Sequence, residues 1–168
     1  MKIILLTGVP GTGKTRIGNH LKDTHDFYHI DLEDPGINSS PEFIQFHQTS
    51  LNPDQLMQEI NIHGKDAVIT WGFYPIAHDF LLLRLQHLGA KMFWLDGDRN
   101  LAKEAWRNRT ARIPDELFDK QIERINNHNI KGIFKPFNIN TFDEVNKAHR
   151  DIEEIIKEIF ENYDSQKS

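Results

Sequence analysis

Residues 2–15 read Lys2-Ile3-Ile4-Leu5-Leu6-Thr7-Gly8-Val9-Pro10-Gly11-Thr12-Gly13-Lys14-Thr15. The first part, 2–7, is a nearly continuous apolar run that stops at Gly8. Such a run suits a strand buried on both faces of a parallel sheet. The part from Gly8 to Thr15 satisfies G-x-x-x-x-G-K-[ST] at every specified position. By average composition, that match arises by chance in roughly fewer than one chain in a hundred of this length. Gly8, Gly11 and Gly13 let the loop curl so that backbone N–H groups point inward, with Pro10 and Thr12 completing it. The loop opens a helix read over 14–23, which carries Ile17 and Leu21, and the N-terminal dipole of a helix favours an anion. Lys14 can reach the β- and γ-phosphates of a nucleotide, and the Thr15 hydroxyl can hold Mg²⁺.

Outward from this stretch, short apolar runs alternate with helical patterns. Residues 27–31 (FYHID) read as a second strand. Asp34, Pro35, Gly36 and Asn38 turn the chain, and Ser40-Pro41-Glu42 resembles a helix start. A further helix is expected from Asn52-Pro53-Asp54 to His63, closed by Gly64. Residues 66–71 (DAVITW) make a third strand ending at Gly72. A helix over 75–88 places Ile76, Phe80, Leu83 and His87 or Leu88 on one face, with Gly89 as its stop. Residues 90–95 (AKMFWL) make a fourth strand, followed by helices over 99–109 and 115–128. Residues 137–142 read as a weak fifth strand or a loop. Residues 143–162 carry Val145, Ile152, Ile155, Ile156 and Ile159 on one side of an amphipathic helix. The order predicts an α/β fold in three layers, a parallel sheet covered by helices on both faces. One domain is expected over 1–163, with residues 164–168 as a frayed polar tail.

Composition narrows the function classes. The 168 residues include 20 Lys+Arg and 25 Asp+Glu, a net charge of -5. That balance argues against nucleic-acid binding, because no basic excess exists to displace counterions from a phosphate backbone. There are 0 Cys, so disulfides, thiolate chemistry and cysteine zinc sites are excluded. No apolar stretch is long enough to span a membrane. The apolar run after Met1 is too short for a leader and meets Gly8 and Lys14 where a cleavage region would lie. These features are read as a cytoplasmic protein.

The loop, its strand and its helix resemble the small P-loop kinases, such as adenylate, shikimate and gluconate kinases. They also resemble looser relatives of the zeta-toxin and chloramphenicol phosphotransferase type. The resemblance covers most of the chain in element order, although only the phosphate loop is highly specific. It implies a five-stranded parallel sheet in the order 2-3-1-4-5, ATP–Mg²⁺ as phosphoryl donor, and a mobile lid bearing arginines. The expected partner is a small-molecule phosphoryl acceptor, with no nucleic acid and no membrane, in a monomer or homodimer.

The carboxyl ends of strands border the ligand crevice in such sheets. Asp31 ends the second strand and strand alternation puts Glu33 on the same side, with Asp34 beyond them. One carboxylate can orient the acceptor hydroxyl or take its proton, and the other can hold Mg²⁺. The pair is similar to the D-x-D of shikimate kinases, with Glu in the second place. Asp31 is therefore assigned to the acceptor and Glu33 to metal and acceptor. The third strand ends in Trp71-Gly72-Phe73-Tyr74. Nucleoside monophosphate kinases carry D-G-F-P there, and Trp71 stands in place of the Asp. This departure disfavours a nucleotide acceptor and leans towards a sugar acid or small polyol. Trp71, Gly72 and Tyr74 are candidate acceptor contacts, with core packing as the rival role for the aromatic rings. Asp96 is a second candidate for metal support, and Asp98 sits where a helix cap belongs.

Arg107, Arg109 and Arg112 lie within six residues, ahead of Pro114. Preorganised cations stabilise charge spread over a transferring phosphoryl group. Arg107 and Arg109 are the candidates for catalysis, Arg107 also for the nucleotide, and Arg112 for substrate; a solvated helix end is the plainer alternative. The resemblance places a loop over adenine near Lys135-Pro136-Phe137-Asn138. The 9 His show no metal-ligand spacing such as H-E-x-x-H and read as scattered residues. Two rivals to a small-molecule kinase remain: a nucleotide-binding switch without an acceptor, and a toxin-like kinase acting on a larger partner. Asn146-Lys147-Ala148-His149 lacks the Asp of the guanine-reading N-K-x-D motif, which disfavours GTP.

Overall fold

The computed structural model describes residues 1–32, 52–72, 78–108 and 114–165. In chain order the described elements are β1 (Ile3–Gly8), α1 (Lys14–His25), β2 (Tyr28–Asp31), α2 (Pro53–His63), β3 (Ala67–Thr70), α3 (Asp79–His87) and β4 (Lys91–Asp96). There follow α4 (Arg99–Arg107), α5 (Asp115–Asn126), α6 (Ile130–Phe134), β5 (Phe137–Asn140), β6 (Phe142–Asp143), β7 (Ala148–His149) and α7 (Ile152–Asp164).

Strands β1 to β5 form one parallel sheet in the order β2-β3-β1-β4-β5. Alternation along β1 splits the core into two layers. Ile3 and Leu5 join Leu56 and Ile60 of α2, Leu82 and Leu85 of α3, and Trp106 of α4 on one face. Ile4 and Leu6 join Ile17 and Leu21 of α1 and Ile155, Ile156 and Ile159 of α7 on the other. All of β1 is buried, as its apolar run requires. The central strand thus delivers its carboxyl end, and the glycine-containing loop that follows, to the middle of the sheet edge.

Local chemistry sets the helix ends. Asn52 caps α2 by accepting from the amides of Asp54 and Gln55, Pro53 takes the first turn, and Gly64 closes it at φ 66°. Asp98 caps α4 by accepting from Asn100 and Leu101, as the sequence predicts.

Several expectations need correction. The last helix does not start at residue 143. The Asp143 carboxylate accepts from the amides of Val145 and Asn146, Lys147 takes φ 51°, and β6 pairs antiparallel with β7 as a hairpin. The side chain of Asp143 wins the local amides from the helix, so Val145 is 90% exposed. Asp151 then caps α7 through Glu153 N and Glu154 N. In α3, Leu82 and Leu85 are the buried residues, while Phe80 is 76% and Leu83 43% exposed. The apolar face is therefore rotated from the expected one; Ile76 lies outside the described residues. Residues 137–140 are a strand, and α6 was not foreseen. The final helix reaches Asp164, which takes an ion pair from Lys2 at 3.0 Å, one residue into the segment read as a tail. Ser40-Pro41-Glu42 lies outside the described residues.

Candidate active site

The loop from Gly8 to Thr15 has the backbone its sequence demands. Gly8, Gly11 and Gly13 take φ 133°, 83° and 86°, the left-handed side where glycine is at ease. A Cβ on Gly8 would overlap the Leu95 carbonyl, and one on Gly11 would overlap the Ala102 carbonyl. These two close approaches press the loop against the end of β4 and the first turns of α4. Thr12 Oγ1 donates to Val9 O at 2.7 Å and braces the curl. Gly13 is the N-cap of α1 and offers no side chain to the amides of the first turn. The first-turn amides and the positive end of the helix dipole therefore have no side-chain cap, an arrangement suited to an anion.

Lys14 is buried, and its Nζ donates to Val9 O at 3.2 Å across the loop. Thr15 Oγ1 donates to Asp31 Oδ2 at 2.9 Å. Asp31 closes β2 and is itself buried. The parallel sheet thus brings a hydroxyl from α1 and a carboxylate from β2 together beside the phosphate loop. Both are hard oxygen donors of the kind Mg²⁺ prefers. Two residues back on the same face, His29 is buried between Asn19 Oδ1 (2.9 Å from Nδ1) and Thr70 Oγ1 (3.0 Å from Nε2). Burial pushes its pKa down to about 4, so the ring is neutral near pH 7. Gly18 makes room for it, because a Cβ there would overlap the imidazole.

The β6–β7 hairpin supplies a wall the sequence reading missed. His149 stacks on Phe142 with centroids 4.3 Å apart, and a Cβ on Gly13 would meet His149 Cε1 at 3.6 Å. Burial, aided by the nearby Arg16 charge, lowers the His149 pKa. Arg16 Nη2 donates to Arg150 O at 3.3 Å, and Thr141 N to Asp96 O at 3.0 Å. The paired turn formers Asp143 and Asp151 were the available signal for this loop. The segment expected over adenine, Lys135–Asn138, instead enters β5, where Phe137 pairs with Phe93 and Asn138 with Trp94. A cleft of about 450 Å³ opens between α4 and the hairpin, lined by Asp98, Asn100, Leu101, Glu104, Glu144 and Lys147.

The remaining candidates fall as follows. Trp71 is buried in the apolar core and stacks on His78 at 4.8 Å, and Gly72 follows it, also buried. Asp96 accepts from Gly97 N and pairs with Arg99, so its carboxylate is already engaged. Arg107 ends α4 and clamps Asp115 at the start of α5. That hydrogen-bonded pair raises the Arg107 pKa and lowers the Asp115 pKa. Glu33, Asp34, Phe73, Tyr74, Arg109 and Arg112 lie outside the described residues.

No protein-family model and no curated protein sequence matches this chain. Solved structures do. A gluconokinase from Sinorhizobium meliloti 1021 superposes over 99% of this chain and 98% of its own, with a TM-score of 0.59 and 17% identity. A sugar kinase from Janibacter sp. HTCC2649 covers 96% and 93%, with a TM-score of 0.62 and 16% identity. Shikimate kinase from Bacteroides thetaiotaomicron covers 96% and 97%, with a TM-score of 0.58 and 18% identity. With the sheet order, the glycine loop and these full-length superpositions together, the chain has the fold of the small P-loop kinases.

Proposed function

We propose that this protein is a kinase that moves the γ-phosphoryl group of ATP–Mg²⁺ to a hydroxyl of a small polar acceptor. The observation that carries the proposal is the bond between Thr15 and Asp31 at 2.9 Å, set beside a loop of left-handed glycines and the buried Lys14. A phosphate-binding loop alone needs no such carboxylate; phosphoryl transfer with Mg²⁺ does.

Each part has a physical task. The loop amides and the α1 dipole hold the polyphosphate. Lys14 trades the neutral Val9 carbonyl for a phosphate oxygen, which strengthens as charge develops in the transition state. Thr15 and Asp31 would hold Mg²⁺, which when bound neutralises charge shared by the β- and γ-phosphates. Asp31 is also assigned to orient the acceptor hydroxyl, with Glu33, two residues on, as a further carboxylate for metal and acceptor. The cleft between α4 and the hairpin has room for a nucleoside. Arg107, Arg109 and Arg112 are assigned as lid cations, and Trp71, Gly72 and Tyr74 as the acceptor contacts. The kinase neighbours act on gluconate, sugars and shikimate by their names, which supports a polyhydroxylated acceptor.

The test is ADP release from Mg·ATP across a panel of sugars, sugar acids and polyols that includes gluconate and shikimate. At least one acceptor should stimulate release above ATP alone. Lys14→Ala and Asp31→Asn should each lower the stimulated rate by about 100-fold or more. Nucleotide binding with no stimulation by any acceptor would overturn the proposal.

A further inference from the structure

At the opposite end of α1 from the phosphate loop, three side chains converge that are remote in sequence. His20 Nε2 lies 2.6 Å from Glu153 Oε1, and His25 Nε2 lies 3.5 Å from Glu153 Oε2. The candidate ligand atoms of all three residues lie within 4.8 Å of one another. Glu153 sits in the first turn of α7, 133 residues from His20, and is held there by the Asp151 cap. Phe160 packs its ring edge-on against His25 with centroids 5.5 Å apart, which limits the swing of that imidazole. The two imidazoles are about one-quarter to one-third exposed, at 26% and 31%. His20 and His25 hold the Glu153 carboxyl below its ordinary range, so it is anionic at neutral pH.

We propose that His20, His25 and Glu153 form a three-ligand site for Zn²⁺ that clasps α1 to α7. Ligand type selects the ion. Two imidazole nitrogens and one carboxylate suit Zn²⁺, whereas Mg²⁺ and Ca²⁺ seek oxygen donors throughout. Size agrees as well. Tetrahedral Zn²⁺ with bonds of about 2.0–2.2 Å places its ligand atoms roughly 3.3 Å apart. The two imidazoles reach different oxygens of Glu153, at 2.6 and 3.5 Å, and the three ligand atoms span no more than 4.8 Å, so rotations of these side chains bring both nitrogens and one carboxylate oxygen to that spacing. Partial exposure leaves a fourth position for water. The site is separate from the proposed kinase centre, because the helix puts His20 about 9 Å and His25 about 16 Å along the axis from Lys14. An ion that binds only the folded chain stabilises it and locks the helix that follows the phosphate loop to the final helix.

The experiment titrates the nucleotide-free protein with ZnCl₂, and separately with MgCl₂, by calorimetry and thermal melting. The variants are His20→Gln, His25→Gln and Glu153→Gln, with His87→Gln as a control at an exposed histidine on α3. The expected result is one Zn²⁺ per chain and a melting midpoint raised by about 5 °C at a hundredfold excess over the dissociation constant. MgCl₂ should produce neither effect. Each of the three variants should weaken Zn²⁺ binding about tenfold or more, and His87→Gln should not. Co²⁺ added to the unmodified protein should show the intense visible absorption of a tetrahedral site, a readout independent of how the variants fold. Unchanged Zn²⁺ affinity in the three variants, or a Co²⁺ spectrum that stays octahedral, would overturn the site.

Discussion

The two ends of α1 are built in opposite ways. At the N-terminal end, one contiguous stretch supplies the glycines in left-handed conformations, a buried lysine and a hydroxyl, and only the Asp31 carboxylate that accepts from that hydroxyl comes from elsewhere, 16 residues on. At the C-terminal end, two partly exposed histidines meet a glutamate from the far side of the sequence. The first end is dictated by backbone geometry and tolerates little change. The second is a meeting of side chains on a finished scaffold, which the fold does not need in order to form.

The largest effect that separates the ends is steric. Gly11→Ala adds a Cβ in a left-handed conformation against the Ala102 carbonyl, a backbone atom that cannot step aside. Chemical denaturation should show a loss of about 4 kcal/mol or more. Gly13→Ala meets nothing nearer than 3.6 Å and should cost only the conformational strain, about 1–2 kcal/mol. Equal losses at the two positions would break the claim that the loop is pressed onto β4 and α4.

Next in size is a pH effect from the middle of α1, where Gly18 and Asn19 accommodate His29. Its folded pKa of about 4 lies below the ordinary 6.5 because the ring is buried. As pH falls from 6.5 towards 4, the unfolded chain takes up a proton that the folded chain refuses. Stability therefore falls with pH across that window, by about 3 kcal/mol in all, and the contribution is fully present above it. Unfolding free energies measured across the window should show this slope, and His29→Gln should flatten it.

Thr15→Val removes the hydroxyl bonded to a buried carboxylate. Denaturation should show a loss of about 1–3 kcal/mol. The smallest effect belongs to the other end. Glu153→Gln, at an exposed side chain, should leave the melting midpoint of the metal-free protein essentially unmoved. A large drop there would show that the histidine clasp is part of the folding core, and the contrast between the two ends would fail.

The same contrast explains what the sequence made legible. The run 2–7, the glycine loop and the caps Asn52, Gly64 and Asp98 are local signals, and each appears in the structure where its chemistry places it. Asp31 was singled out because parallel topology sends strand ends to one edge, and the structure sets its carboxylate against the Thr15 hydroxyl. The sheet order came with the resemblance to the kinases rather than from any pattern in the residues. Residues 143–149 were misread because their periodicity suits a helix, while Asp143 captures the backbone amides a helix would need. The face of α3 was misread because Phe80 and Leu82 compete for the same stripe, and packing against α2 and β1 decides between them. His149 against Gly13 and Glu153 against His20 are tertiary encounters that leave no trace in spacing. Trp71 carried two readings, and the structure buries it against His78 in the core.

Calorimetric titration of the folded protein with Mg·ATP, run beside Lys14→Ala, tests the central claim most directly. The account predicts saturable binding of one nucleotide per chain, weakened about tenfold or more in the variant. No binding heat at any attainable nucleotide concentration, or equal affinity in the two proteins, would contradict it.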